Sequence, residues 1–145
     1  MEGVALQVVV EQKILIIRGM KVMLDRDLAY LYGVKTRALR QQVKRNKEKF
    51  PDDFMLQLTA EEASAMVSQN VTPSLKYFGG YLPYVFTEQG VAMLSGILRS
   101  KRAIQVNIAI MRAFVKLREI LATHKELAAK LRELEHKVSK HDNDI

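Results

Sequence analysis

Asp25-Arg26-Asp27-Leu28-Ala29-Tyr30-Leu31-Tyr32-Gly33-Val34-Lys35-Thr36-Arg37-Ala38-Leu39-Arg40-Gln41-Gln42-Val43-Lys44 reads as two short helices broken at one residue. Asp25 can accept from the free amides of a first turn, and Asp27 opposes the positive end of the helix dipole. Leu24, Leu28 and Leu31 follow at helical spacing, and Gly33 ends the first helix in a left-handed turn. A second helix is expected over 34–46, with Thr36 as its N-cap. In it Leu39 and Val43 form one buried stripe. Thr36, Arg40 and Lys44 make the adjoining strip, with Arg37 and Gln41 beside it. No acidic side chain interrupts that surface before Glu48.

The spacing is that of a helix-turn-helix. Ala29 is the small residue where the helices touch. Gly33, four positions on, tolerates the turn, and Leu39, six further, is the apolar anchor. Leu28, Val34 and Val43 complete the small core. Lys35, Thr36, Arg37, Arg40, Gln41, Lys44 and the neighbouring Arg45 are then the candidate DNA-binding side chains. Arginine suits guanine, glutamine suits adenine, and lysine and threonine suit phosphate. A plain helical hairpin is the competing reading of the same spacing.

Upstream, Leu6 to Val10 and Ile14 to Arg18 are β-branched and apolar. Ile14–Ile17 is too short for a helix and reads as a buried strand, with Gly19 turning a hairpin into 21–24. Downstream, Phe50-Pro51-Asp52-Asp53 breaks the helical pattern and 54–58 alternates as a strand. Thr59-Ala60-Glu61-Glu62 matches a capping box that opens a helix to about Gln69. Asn70 to Gly80 is polar and Gly/Pro-bearing, hence a surface loop. Tyr84–Phe86 reads as a strand, and Thr87 caps a helix ending near Arg99. The fold class is therefore α+β: a small N-terminal sheet or hairpin with a helix-turn-helix-like helical core, followed by a long C-terminal helix.

From Lys101 to the end there is neither Pro nor Gly. A single helix over 103–141 carries heptads with core pairs Ile110/Ala113, Leu117/Ile120, His124/Leu127, Leu131/Leu134 and Val138/His141. Above about Glu119 the apolar residues spread around the helix, as expected of a segment packed on a domain. Below it only a two-residue-wide seam remains, as in a coiled coil. The division expected is a DNA-binding domain over 1–118 and a dimerisation helix over 119–145, with Leu117, Ile120, Leu127, Leu131, Leu134 and Val138 at the seam. A parallel partner sets Lys130 against Glu135 and Lys137 against Asp142, whereas an antiparallel one sets like charges together. The expected assembly is a parallel homodimer, which matches a palindromic site with half-sites about 34 Å apart or a multiple.

The net charge of +7 is concentrated. Residues 35–49 hold seven basic and one acidic side chain, and residues 99–118 hold six basic and no acidic ones. Such focusing favours a polyanion. Lys101 and Arg102, in the second stretch, are candidate DNA contacts that add affinity without sequence information. Tyr30, Tyr32, Tyr77, Phe78, Tyr81 and Tyr84 could stack on nucleobases or simply pack.

Other classes are disfavoured. Cysteine is absent, which excludes disulfides, thiol nucleophiles and Cys-built zinc sites. The three histidines, His124, His136 and His141, all lie in the last helix without i, i+4 spacing, and Gly79-Gly80 lacks the Lys-Ser/Thr of a phosphate loop. No catalytic residue, metal site or cofactor is expected. No apolar run reaches the roughly 18 residues of a membrane span, and neither basic segment has the apolar face of an interfacial helix. The expected location is cytoplasmic, with the nucleoid. A protein partner on the C-terminal helix, in the manner of an antirepressor, is the alternative to DNA regulation.

Several separated motifs in order carry a resemblance. They are Ile17-Arg18-Gly19 with Val22, the run Asp27 to Val34, and Asn46 to Phe50 followed by Pro51 and Phe54. The last is Tyr84-Val85-Phe86-Thr87-Glu88-Gln89-Gly90-Val91-Ala92-Met93-Leu94-Ser95, continuing into Leu98-Arg99-Ser100 and 103–108. Over roughly residues 10 to 118 the chain resembles the ORF-six N-terminal (ORF6N-type) domain of the KilA-N/Bro-N group of phage and bacterial DNA-binding domains. The resemblance implies a compact α+β DNA-binding domain of phage and prophage regulators, often joined to a variable C-terminal module. Here that module is a coiled-coil sequence, so activities housed in a larger second domain are not implied.

Overall fold

The computed structural model describes residues 2–69 and 81–143, with side chains over 5–69 and 81–136. The expected loop Asn70–Gly80, with Tyr77 and Phe78, lies outside the described residues. The elements are α1 (Glu2–Lys13), β1 (Leu15–Ile17), β2 (Met20–Leu24), α2 (Asp25–Tyr32), α3 (Thr36–Arg45), a 3-10 turn (Lys47–Lys49), β3 (Met55–Gln57), α4 (Ala60–Ser68), β4 (Tyr84–Thr87), α5 (Glu88–Leu94) and α6 (Lys101–Asn143). The protein is α+β: the strands form one antiparallel sheet in the order β1-β2-β4-β3, surrounded by helices.

The hairpin forms where expected, but its first strand lies at the sheet edge and is not buried: Ile16 is exposed and Leu15 and Ile17 are half-buried. Arg18 and Gly19 both take positive φ, 53° and 76°, the pairing that suits the twist of a two-residue hairpin turn. Leu15 then pairs with Val22, and β2 pairs onward with β4 through Val22–Thr87 and Leu24–Val85. The period of two sorts the sheet's side chains between two cores. Val22, Leu24 and Val85 point to a smaller cluster with Leu58 and, from α4, Ala63 and Met66. Met23 and Phe86 point the other way, into the main core with Leu28, Leu39, Leu94, Ile110 and Phe114. Each such side chain, fully buried, contributes about 1.5–3 kcal/mol.

The capping box at α4 is present in full. Thr59 Oγ1 accepts from Glu62 N–H at 3.1 Å and Glu62 Oε1 accepts from Thr59 N–H at 2.9 Å. Glu62 also receives both Arg18 Nε (2.9 Å) and Nη2 (2.7 Å), which ties the hairpin turn to α4. The Arg18 bond, then the Thr59 amide, hold the Glu62 carboxyl down to about 2.

Three local expectations are corrected, and one stretch left without an element is assigned. The β-branched stretch Leu6–Val10 is helical, in α1: Leu6, Val10 and Ile14 recur every four residues and pack into the main core, and α1 lies along α6 with Glu11 3.2 Å from Lys116 Nζ. Thr36 is the first residue of α3 rather than its cap. The cap position is Lys35, which makes no side-chain capping bond. Val34 is exposed and takes no part in the core. Finally, α5 stops at Leu94 instead of near Arg99. Bonds from Gly96 N–H to Met93 O and Ile97 N–H to Leu94 O tighten the chain there, and Ser100 Oγ caps α6 by accepting from Ala103 N–H at 3.1 Å.

The single long C-terminal helix is present. Its first four turns bury Ala103, Val106, Ala109, Ile110, Ala113 and Phe114, and beyond Leu117 every described side chain is exposed.

Candidate nucleic-acid interface

The α2–α3 junction is built as a Schellman turn. Gly33 sits at φ 73°, ψ 30°, with its N–H bonded to Tyr30 O (3.1 Å) and Val34 N–H bonded to Ala29 O (3.0 Å). A side chain there is doubly disfavoured: it would be strained at positive φ, and its Cβ would lie 3.0 Å from Arg102 Nε. Ala29, Leu28, Leu39 and Val43 are buried between the helices, as the spacing required.

α6 braces this junction from below. Arg102 Nε donates to Leu31 O at 2.8 Å, satisfying a carbonyl at the negative end of α2. One turn later the Tyr32 hydroxyl donates to Asn107 Oδ1, with both residues buried. Burial pushes the Tyr32 hydroxyl's pKa up, so it remains a neutral donor.

α3 turns its apolar stripe inward and leaves Lys35, Arg37, Gln41, Lys44 and Arg45 exposed, with Thr36 half-buried among them. None of those five exposed side chains has a partner among the described residues. Arg40 is placed differently. Its Nε lies 2.7 Å from Oδ2 of Asp25, a carboxylate only 2% exposed, and its guanidinium carbon lies 5.2 Å from the ring of Tyr81 and 5.7 Å from that of Tyr84. Arg40 is thus a strut between α3 and the start of α2 rather than a free side chain on the outer face. Arg102 is likewise engaged through Nε, whereas Lys101 at the head of α6 is exposed.

A groove of 680 Å³ runs beside α3. Thr36, Arg37, Gln41 and Lys44 of α3 line one wall, and Gln57 of β3, Tyr84 of β4 and Tyr81, three residues before it, line the other. Asp25, Arg26 and Arg40 complete its lining. Sequence reasoning named the α3 wall. It missed Gln57 and the role of Asp25, because both join the site through strand pairing and a contact fifteen residues along the chain. Among the aromatic candidates, Tyr30 and Tyr81 are exposed, Tyr32 is buried against α6, and Tyr84 is half-buried under Arg40.

Along the seam, Ile120, Leu127, Leu131 and Leu134 are exposed and Leu117 is half-buried; the side chain of Val138 lies outside the described residues. Among the described residues no group of three His, Asp or Glu could hold a metal, and no helix is long and apolar enough to cross a membrane.

No curated protein and no solved structure matches the chain. The family model of the ORF6N domain matches residues 12–97, from the end of α1 through the whole sheet, the Gly33 junction and α5, and it stops short of α6. That stretch is more than half of the chain and contains every residue that lines the groove; the protein belongs to the ORF6N domain family, a phage-type family compatible with a regulatory role.

Proposed function

We propose that this protein is a sequence-specific double-stranded DNA-binding regulator of phage or prophage type, acting as a dimer, with α3 as the helix that enters the major groove. One observation carries the reading: Lys35, Arg37, Gln41, Lys44 and Arg45 are held out together on and beside α3, a helix without an acidic residue, while its inner stripe and the Gly33 junction fix its pose. Arg37 and Gln41 have the chemistry to read base edges, and Lys35, Lys44 and Arg45 to hold phosphates, with Lys101 supplying flanking backbone contact. Arg40 serves by fixing the helix. No catalytic role, cofactor or metal is part of this proposal, and the location proposed is cytoplasmic, with the nucleoid.

The test is duplex binding across a salt series, using an oligonucleotide enriched by the full chain from a random pool. Arg37→Ala is expected to weaken binding about 10- to 100-fold and relax preference at one position. Lys44→Ala is expected to weaken selected and scrambled duplexes alike and lower the salt slope by about 0.9. Unchanged isotherms for both variants would remove α3 as the interface.

The exposed Ile120, Leu127, Leu131 and Leu134 support a parallel homodimer through α6, in which Lys130 meets Glu135 of the other copy. Sedimentation should then give a dimer mass for the full chain and a monomer mass for the variant Leu127→Asp/Leu131→Asp/Leu134→Asp, which leaves the domain's buried residues untouched. A dimer that survives the triple substitution places the contact elsewhere. The same exposed leucines favour one second reading, an antirepressor-like module whose C-terminal helix pairs with a different protein. In that case the full chain sediments as a monomer by itself.

A further inference from the structure

Tyr81 stands across the groove from α3. It is 70% exposed, yet the three residues that follow it are held by four hydrogen bonds at three backbone groups. Leu82 O accepts from Arg40 Nη2 (3.5 Å) and from Gln57 Nε2 (3.4 Å). Pro83 O accepts from Leu58 N–H (2.9 Å), and Tyr84 N–H donates to Asp25 Oδ2 (3.2 Å). One face of the Tyr81 ring is covered by the Arg40 guanidinium at 5.2 Å, an attraction between cation and ring that also limits the ring's freedom. A large aromatic side chain left exposed but backed by a fixed cation costs little entropy to order on a ligand. The same Asp25 carboxylate anchors Arg40 and the Tyr84 amide, so one buried group sets the spacing of both groove walls.

We propose that Tyr81 is a second DNA contact, the wall opposite α3, which packs its open side on the sugar–phosphate backbone of the duplex that α3 enters and donates its hydroxyl to a phosphate. The assignment rests on the reading of α3 as the duplex-binding helix. A backbone contact fits better than base stacking, because bases inside a duplex present edges rather than faces to a groove. Arg40 is a positioning residue in this scheme, holding the ring through its 5.2 Å contact beside Gln41 and Lys44 in the same groove.

The experiment compares wild type, Tyr81→Ala, Tyr81→Phe and Arg37→Ala in the full chain, with the enriched duplex, a scrambled duplex and a single strand of the same length as probes. Tyr81→Ala is expected to weaken both duplexes by the same three- to tenfold, about the worth of one neutral polar contact with its ring packing, leaving their ratio and the salt slope unchanged. Tyr81→Phe should recover the part carried by the ring, and it serves as the readout should the alanine variant unfold. Wild-type affinity in both Tyr81 variants, with Arg37→Ala impaired, overturns the Tyr81 contact and leaves α3 standing. A loss confined to the single strand also overturns it, in favour of base stacking. Wild-type affinity in all three variants removes α3 and Tyr81 together.

Discussion

Gly90→Ala should cost the domain about 3 kcal/mol or more, enough to unfold a large fraction of a marginal protein near physiological temperature. A Cβ built on Gly90 lies 1.9 Å from Phe54 O and 2.9 Å from Phe54 C, so a methyl group there would meet backbone, which cannot rotate away as a side chain can. The close approach has a cause. Thr87 Oγ1 caps α5 by accepting from Gly90 N–H (3.3 Å), and the same hydroxyl donates to Asp53 O (2.8 Å) while Thr87 N–H donates to Phe54 O (3.1 Å). The turn before β3 is therefore seated on the first turn of α5. A methyl group would have to lift β3 from that helix, losing these bonds and loosening the pairing of Met55 with Phe86. Gly96→Ala is the matched control. Its Cβ would meet Met93 O at 3.4 Å, an ordinary contact, and the change should be close to neutral. Urea unfolding of the two variants decides the matter: equal midpoints would mean that β3 and α5 do not approach as described.

Gly90 also illustrates what a sequence makes legible. The helix-turn-helix spacing, the Thr59 capping box, the Gly19 hairpin and the Thr87 cap were all readable, because each is settled by side chains within a few residues of one another. The long helix was readable for the same reason, since nothing between Lys101 and Asn143 breaks it. The element formed by Val8-Val9-Val10 is not legible locally, because β-branching is a weak preference that tertiary packing overrides. Here α6 offers a long apolar flank, and burial of Leu6 and Val10 at helical spacing outweighs the local cost. Of the candidate contacts, the α3 residues were legible from charge and spacing. That Arg40 and Arg102 would be drawn into bonds with Asp25 and the Leu31 carbonyl was not, because those partners lie fifteen and seventy-one residues away. Residues that look alike on a helical wheel, such as Arg37 and Arg40, part company only when the second helix and the sheet edge are set beside them.

That difference between Arg37 and Arg40 leads to the other large expected effect. Asp25→Ala should destabilise the domain by about 3–5 kcal/mol, and Arg40→Met by a similar amount. Asp25 is almost wholly buried and accepts from Arg26 N–H (2.7 Å), Arg40 Nε (2.7 Å) and Tyr84 N–H (3.2 Å). Removing the carboxylate strands two backbone amides and leaves a guanidinium, 20% exposed, facing no anion. Removing the guanidinium instead leaves a buried carboxylate with amide partners alone. The two costs overlap, because each single variant is penalised chiefly for the charge it leaves behind. The double variant Asp25→Ala/Arg40→Met should therefore be less destabilised than the sum of the singles by about 2 kcal/mol or more, measurable as the coupling in a double-mutant cycle from denaturant unfolding. Additive effects would mean that the two groups do not act as a pair. The cycle also distinguishes framework from contact surface. Arg37→Ala, on the same helix and three residues earlier, should leave the unfolding midpoint within about 0.5 kcal/mol of wild type, since it is an exposed side chain with no partner among the described residues. A helix in which Arg40 holds it down while Arg37 and Arg45 stay unengaged has the division of labour expected of a surface shaped before its ligand arrives, and the stability cycle reads that division without any ligand being known.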